Sequence, residues 1–346
     1  MVNRRNFLTT LMATLSTSLI VNKTLANSNE WFVPTEDNPH SGTIIALPSP
    51  ENWFKTIYQK SISEYINTAN TISNFEQVYF AVNPEQKHLV AGKLSSNIIL
   101  WDDADITDGW ARDSAPLFQI NNNGKIRASG FSFKGWGGKF DYSKDAKFKN
   151  FCADKLNIPM GYISPIEAEG GTFIWNKTDC FVSKESMQKG KRNNGISLAD
   201  METEIKKVLG VKNVNWTELG LTPDPVTDGH IDGMAMFTDN NEIILQTTND
   251  KSDPNYKIIE SARSVFKNAG YDIINLPLTD DVVVHINSYI CNGGLIVSAS
   301  GRKTDDTPLA ILREAFPKRK VIPIETNALM KSGGGVHCIT MQIPAV

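Results

Sequence analysis

The chain has 346 residues, with 35 Lys and Arg against 38 Asp and Glu, for a net charge of −3 at pH 7. It is long enough to bury an ample core, and 40% hydrophobic with 21% charged residues is an ordinary globular composition. The mildly acidic balance argues against a nucleic-acid partner and suits a cationic ligand.

Residues 1–26 read as an export leader outside the fold. Arg4-Arg5-Asn6-Phe7-Leu8 precedes an apolar stretch from Leu11 to Val21, and Thr24-Leu25-Ala26 offers a small-residue cleavage site. Paired arginines followed by Phe-Leu fit the twin-arginine route, which carries folded proteins. The stretch is too short and too rich in Ser and Thr for a membrane-spanning helix. The expectation is therefore a periplasmic or secreted protein with no stable membrane anchor. Losing Arg4, Arg5 and Lys23 makes the mature chain three charges more acidic.

The remainder alternates strands and helices. Thr43 to Pro48 is an apolar run that predicts a buried strand. Helical spacing follows from Trp53 to Ile72, then a strand over Gln77–Val82, a helix from Pro84 and a strand over Asn97–Trp101. Asp102 to Asp113 is an acidic loop at a strand end. Most such runs are merely solvated, yet ligand sites concentrate at these loops. Leu117–Ile120 and Ile126–Phe133 predict a hairpin across Asn121-Asn122-Asn123-Gly124. Gly135-Trp136-Gly137-Gly138-Lys139-Phe140 reads as a flexible connection with an aromatic plug.

A helix is expected over Ala146–Leu156. Glu167-Ala168-Glu169-Gly170-Gly171 then puts carboxylates ahead of a turn and an apolar strand, and Cys180–Val182 is its return strand. Lys184–Asn194 is polar and reads as mobile. A helix over Ala199–Leu209 and a strand over Asn213–Thr217 lead to Asp228-Gly229-His230-Ile231-Asp232-Gly233. In an extended segment His230 and Asp232 share one face. That spacing leaves a functional pair and a satisfied structural pair equally open. Strands over Glu242–Gln246, Asp272–Pro277 and Lys320–Ile324 and helices over Tyr256–Ala269 and Leu309–Phe316 follow. Between them the apolar run from Val282 to Ile290 is separated by Asn292-Gly293-Gly294 from a second run, Leu295–Ser298.

The tail Ser332-Gly333-Gly334-Gly335-Val336-His337-Cys338 feeds a glycine-rich turn into a cysteine at a strand start. Alone, such a segment is more often a tight turn with a small buried cysteine. The four cysteines, Cys152, Cys180, Cys291 and Cys338, are widely spaced. They show no Cys-x-x-Cys pair, and no histidines have zinc spacing. Two disulfides would be feasible in an exported protein. A catalytic Cys338 would stay free and leave at least one other unpaired. No metal site is expected.

Several motifs occur together in a telling order: Trp110-Ala111-Arg112-Asp113-Ser114-Ala115-Pro116, Gly135-Trp136-Gly137-Gly138-Lys139, Glu169-Gly170-Gly171, Gly229-His230-Ile231-Asp232, and the tail from Gly333 to Pro344. They resemble the agmatine deiminase and bacterial peptidyl-arginine deiminase family, and Val33-Pro34-Thr35-Glu36 with Pro39-His40-Ser41-Gly42 resembles its opening motif. The resemblance runs from about residue 31 to the C-terminus and implies one catalytic domain over 31–346. It implies the α/β fold of the guanidine-modifying enzymes, a five-bladed propeller of pentein type with the active site on its axis.

The same resemblance implies roles. Asp113 and Asp232 would hold a guanidinium by paired charge-assisted bonds. Cys338 would attack its carbon. His230 would protonate departing ammonia and then serve as base toward water, oriented by Glu169. Trp110, Asn287 and Gly335 would lie beside the substrate. No metal or organic cofactor is implied. Thr172-Phe173-Ile174-Trp175 after the Gly-Gly pair and Ile44-Ile45-Ala46-Leu47-Pro48 in the opening strand depart from the family pattern, in regions expected to line the pocket for the substrate tail. The implied reaction is agmatine to N-carbamoylputrescine and ammonia. The alternatives are citrulline formation on peptide arginine, amidine transfer to an amine, and a non-enzymatic periplasmic guanidine-binding protein.

Overall fold

The computed structural model describes residues 30–50, 57–279 and 284–346. The expected leader, the start of the helix expected from Trp53 and the start of the run from Val282 lie outside these residues. The class is α/β as expected. Among the described residues the strands form five small sheets of three or four strands each.

One unit recurs in every sheet: a strand pairs antiparallel with the next, a helix follows, and a third strand returns parallel to the second. In the first sheet these are Leu117–Asn121, Ile126–Ser132, the helix Phe148–Leu156 and Met160–Glu167. In the second they are Phe173–Trp175, Asp179–Ser183, Leu198–Leu209 and Asn213–Thr217. The third has Ala235–Phe237, Ile243–Thr247, Asn255–Asn268 and Ile273–Pro277. The fourth has Tyr289–Cys291, Gly294–Ala299, Asp306–Ala315 and Lys320–Glu325. The fifth joins the chain ends: Thr340–Pro344 pairs with His40–Ala46, and Tyr58–Ile72 leads to Val78–Ala81.

Local chemistry sets these elements. Asn121 Oδ1 accepts from the amides of Asn123 and Lys125, both at 3.0 Å, and folds the hairpin turn. Ser197 caps the helix Leu198–Leu209 through the Asp200 amide at 3.1 Å, and Gly210 ends it in a left-handed conformation. Ile44, Ile45 and Ala46 are fully buried, as a strand covered on both faces requires. The acidic stretch ends in a short helix, Ala111–Ser114. All four cysteines are free, and Cys152, Cys180 and Cys291 are buried. Among the described residues no helix is long and apolar enough to cross a membrane.

The turn ahead of the third sheet depends on close backbone approach. A Cβ on Gly220 would lie 2.2 Å from the Cα of Gly229, the residue before His230. Gly220→Ala is therefore expected to lower unfolding free energy by about 1–3 kcal/mol, as read by urea denaturation. An unchanged midpoint would refute this account of the turn.

Candidate active site

The five sheets supply their polar turns from one place in the repeat. Each of Asp113, Glu169, His230 with Asp232, Asn287 and Cys338 lies a few residues ahead of the first strand of its sheet. These turns converge, so residues far apart in sequence become neighbours.

His230 is the hub. Its Nε2 lies 3.1 Å from Glu169 Oε2 and 3.2 Å from Thr172 Oγ1, and its Nδ1 lies 3.9 Å from Asp113 Oδ1. Cys338 Sγ lies 3.8 Å from Asp232 Oδ2. Asn287 ties the turns together: its Nδ2 donates to Asp232 Oδ2 at 3.3 Å, and its Oδ1 accepts from the amides of Gly335 at 3.0 Å and Cys338 at 3.3 Å. The indole of Trp110 is buried behind the thiol. A Cβ on Gly334 would stand 2.6 Å from that ring and 3.0 Å from Cys338 Sγ.

The structure thus brings together every residue singled out, though not always by the expected route. His230 and Asp232 do not share a strand face. Residues Ile231–Gly233 form a single helical turn that aims both inward. Of the three consecutive glycines only Gly333 has a positive φ, 106°. Gly334 and Gly335 are needed for space, since a Cβ on Gly335 would meet Ser298 Oγ at 2.4 Å and Asn287 Oδ1 at 2.8 Å.

A family model for the Porphyromonas-type peptidyl-arginine deiminases matches residues 32–344. The chain belongs to this family. Agmatine deiminase from Medicago truncatula is 28% identical over 91% of this chain and 97% of its own. The solved agmatine deiminase of Enterococcus faecalis matches with a TM-score of 0.84 at 23% identity, covering 91% of this chain and 96% of that one. A substrate-bound agmatine deiminase of C. jejuni matches with a TM-score of 0.84 at 22% identity, covering 90% and 96%. The protein is accordingly a hydrolase acting on carbon–nitrogen bonds.

The site has further members to which the sequence motifs assign no role, and one of them, Arg192, lies outside every motif. Arg192 lies in the polar run that reads as mobile, yet it is 1% exposed and its Nη1 bonds Glu169 Oε2 at 2.7 Å. That run instead forms a helix, Lys184–Gln188, followed by this buried arginine. Trp136 is the aromatic plug, held at φ 54° between glycines, and its Nε1 donates to Asp113 Oδ2 at 2.9 Å. A left-handed conformation is costly for so bulky a residue. Gly171 donates its amide to Asp113 Oδ1 at 3.1 Å. Glu36, Arg112 and His337 form an outer chain: Arg112 Nη2 lies 2.7 Å from Glu36 Oε1, and the same oxygen lies 2.8 Å from His337 Nε2.

These surroundings set the protonation states. For His230 burial works downward, but Asp113, Glu169 and Asp232 raise it to about 9. Glu169 resists the upward push of burial because Arg192 and His230 hold it at about 2. Burial pushes the Asp113 carboxyl up, against the pull of His230. Asp232 stays below the ordinary carboxylate value because His337 and His230 outweigh its burial. Burial drives the Cys338 thiol well above its usual value, and Asp232 and Asp113 add to the rise.

Gly171 forms the floor between these groups. A Cβ there would stand 2.8 Å from both His230 Nδ1 and Asp232 Oδ2 and 3.1 Å from Asp113 Oδ1. Displacing catalytic groups by an ångström costs about a hundredfold. Gly171→Ala is expected to lose that much ammonia release while its circular dichroism stays native. Full activity in that variant would contradict this geometry.

Proposed function

We propose that the protein hydrolyses a small cationic guanidine, agmatine in the first place, to N-carbamoylputrescine and ammonia. The observation that carries this is the buried pairing of two carboxylates, Asp113 and Asp232, with a thiol and a carboxylate-held histidine around one small space. A planar cation with N–H groups on every edge suits two facing carboxylates, and its electron-poor carbon suits a thiolate.

The steps follow from the neighbours. Cys338 Sγ attacks the guanidinium carbon. His230 gives its proton to one amino group, which leaves as ammonia, and a thiouronium stays on the sulfur. Water then attacks that carbon while His230 takes its proton, and the sulfur departs from the ureido product. Glu169, held by Arg192, orients the imidazole. Asn287, Gly335 and Trp110 fix the loop that carries the thiol. No metal or organic cofactor takes part in this scheme. The five sheets, on this reading, stand as blades about an axis through the site. The support is that each contributes a residue from the same place in its repeat.

Citrulline formation on peptide arginine is the second reading, favoured by the family's own description. Against it stands enclosure: Asp113, His230 and Asp232 are each 5% exposed. The loop of Trp136 is pinned to the turn before His230, since Lys139 Nζ donates to Val226 O at 2.9 Å and pairs with Asp228 at 2.6 Å. We also propose export by the twin-arginine route, on the strength of the leader. Replacing both Arg4 and Arg5 with Lys should retain the protein in the cytoplasmic fraction, and unchanged export would exclude that route.

The deciding assay offers agmatine, free arginine and an arginine peptide to the wild type and to Cys338→Ala. Turnover of agmatine alone, abolished in the variant, is the expected result. Turnover of the peptide alone would select the second reading, and binding of agmatine without turnover would favour a guanidine-binding protein. The pH dependence is a separate check. Reaction needs a thiolate and a protonated His230, and the thiol lies well above its ordinary value while His230 titrates at about 9. With the thiol the higher of the two, kcat/KM should climb about tenfold per pH unit from pH 6 and level off near 9. A flat profile between pH 6 and 8 would contradict these protonation states.

A further inference from the structure

His337, the neighbour of Cys338, stands between two carboxylates. Its Nδ1 lies 2.8 Å from Asp232 Oδ2 and its Nε2 lies 2.8 Å from Glu36 Oε1. A neutral imidazole has one N–H, and an ionised carboxylate can only accept. Both contacts are hydrogen bonds together only if the ring carries two protons or one carboxyl holds a proton of its own. Neither carboxyl is placed to hold one. Glu36 Oε1 also faces Arg112 Nη2 at 2.7 Å. Asp232 Oδ2 also accepts from Asn287 Nδ2 at 3.3 Å.

We infer that His337 is a standing imidazolium, and that it decides which of the two site aspartates carries the negative charge. Asp232 has this cation against its Oδ2. The hydrogen bonds to Asp113 come from neutral donors, Trp136 Nε1 and the Gly171 amide, and its nearest cation, His230, stands 3.9 Å away. The charged groups facing His337 are Asp232 from the turn ahead of the third sheet, Glu36 from the opening segment and Arg112 from the helix Ala111–Ser114, with the Cys338 thiol next in the chain. Burial and Arg112 oppose the second proton, and the two carboxylates favour it and prevail. His337 is 8% exposed and lines, with Asp232 and Glu36, a recess that opens to solvent. Its protons can therefore equilibrate with water. His337 is thus a positioning residue. It keeps Asp232 ionised in a site where burial and nearby acids would otherwise favour the neutral carboxyl.

The test reads protons directly. Nitrogen-15 spectra of the wild-type ring, assigned with His337→Asn, should show two protonated nitrogens from pH 6 to 8, and a neutral tautomer at pH 7 would overturn the inference. Asparagine keeps a donor to Asp232 but not the charge. In His337→Asn the Asp232 carboxyl carbon, followed by carbon-13, should titrate at least about one pH unit higher than in wild type. The same titration in both would show that the hydrogen bond matters and the charge does not, which also overturns it. The consequence for catalysis rests on the guanidine reading: His337→Asn should raise KM for agmatine about tenfold or more at pH 6, and the deficit should shrink as pH rises and Asp232 ionises again. If wild type turns over no guanidine, the proposed function fails, while the two spectra still decide the inference.

Discussion

A cluster of like charges withdrawn from water governs this site. Asp113, Glu169 and Asp232 are buried within one another's reach, and each would cost several kcal/mol if left uncompensated. The compensation is supplied one cation at a time. Arg192 takes Glu169, His230 stands between Glu169 and Asp113, and His337 takes Asp232. Arg112 neutralises Glu36 at the edge. Four acids thus meet four bases, and the lengths and shapes of the loops follow from having to deliver them. The turn after Lys184–Gln188 must fold inward to bring Arg192. The strained Trp136 must stay in place to donate to Asp113.

The repeated unit makes that delivery feasible. A turn just ahead of the first strand of a sheet has amides and carbonyls not committed to the ladder, and the strand behind it is fixed by packing on both sides. Five such turns give five anchored points, each free to carry a different side chain. Space among them is tight enough that glycine is needed where turns touch. Gly171 stands against His230, Asp232 and Asp113, Gly170 against the Arg112 carbonyl at 2.2 Å, and Gly335 against Ser298 and Asn287. These glycines serve close approach more than backbone freedom, since none of the three has a positive φ.

That distinction explains what the sequence disclosed and what it hid. Strands such as Ile44–Ala46 and helices such as Leu198–Leu209 follow from local patterning, and the order of the motifs around Asp113, Glu169, His230 and Cys338 points to the site. Arg192 is invisible because its burial is a property of the assembled turns, and a Lys-Arg-Asn-Asn run looks solvated on any local criterion. His337 hides beside a more conspicuous cysteine. The helical turn at Ile231–Gly233 escapes because two polar residues flanked by glycines fit an extended segment equally well. The fivefold recurrence enters through the family resemblance and not through any residue repeat, for the repeats share a pattern of pairing and not a pattern of residues.

The two aspartates are alike in sequence and unlike in surroundings, and this difference bears on how the proposed chemistry starts. With no substrate, Asp232 is ionised against His337, Asp113 is pushed toward its neutral form, and the thiol is held neutral by burial and by Asp232. A thiolate formed then would be one more anion in a dry space, exposed to oxidants for no gain. A guanidinium arriving between the carboxylates adds the missing positive charge. It favours ionisation of Asp113 and of the thiol together, because an opposite charge within a few ångströms stabilises both anions. In the proposed scheme the cation that is to be attacked thereby helps to make its own nucleophile. An uncharged urea product removes that help and weakens its own hold, so one electrostatic arrangement serves activation and release alike.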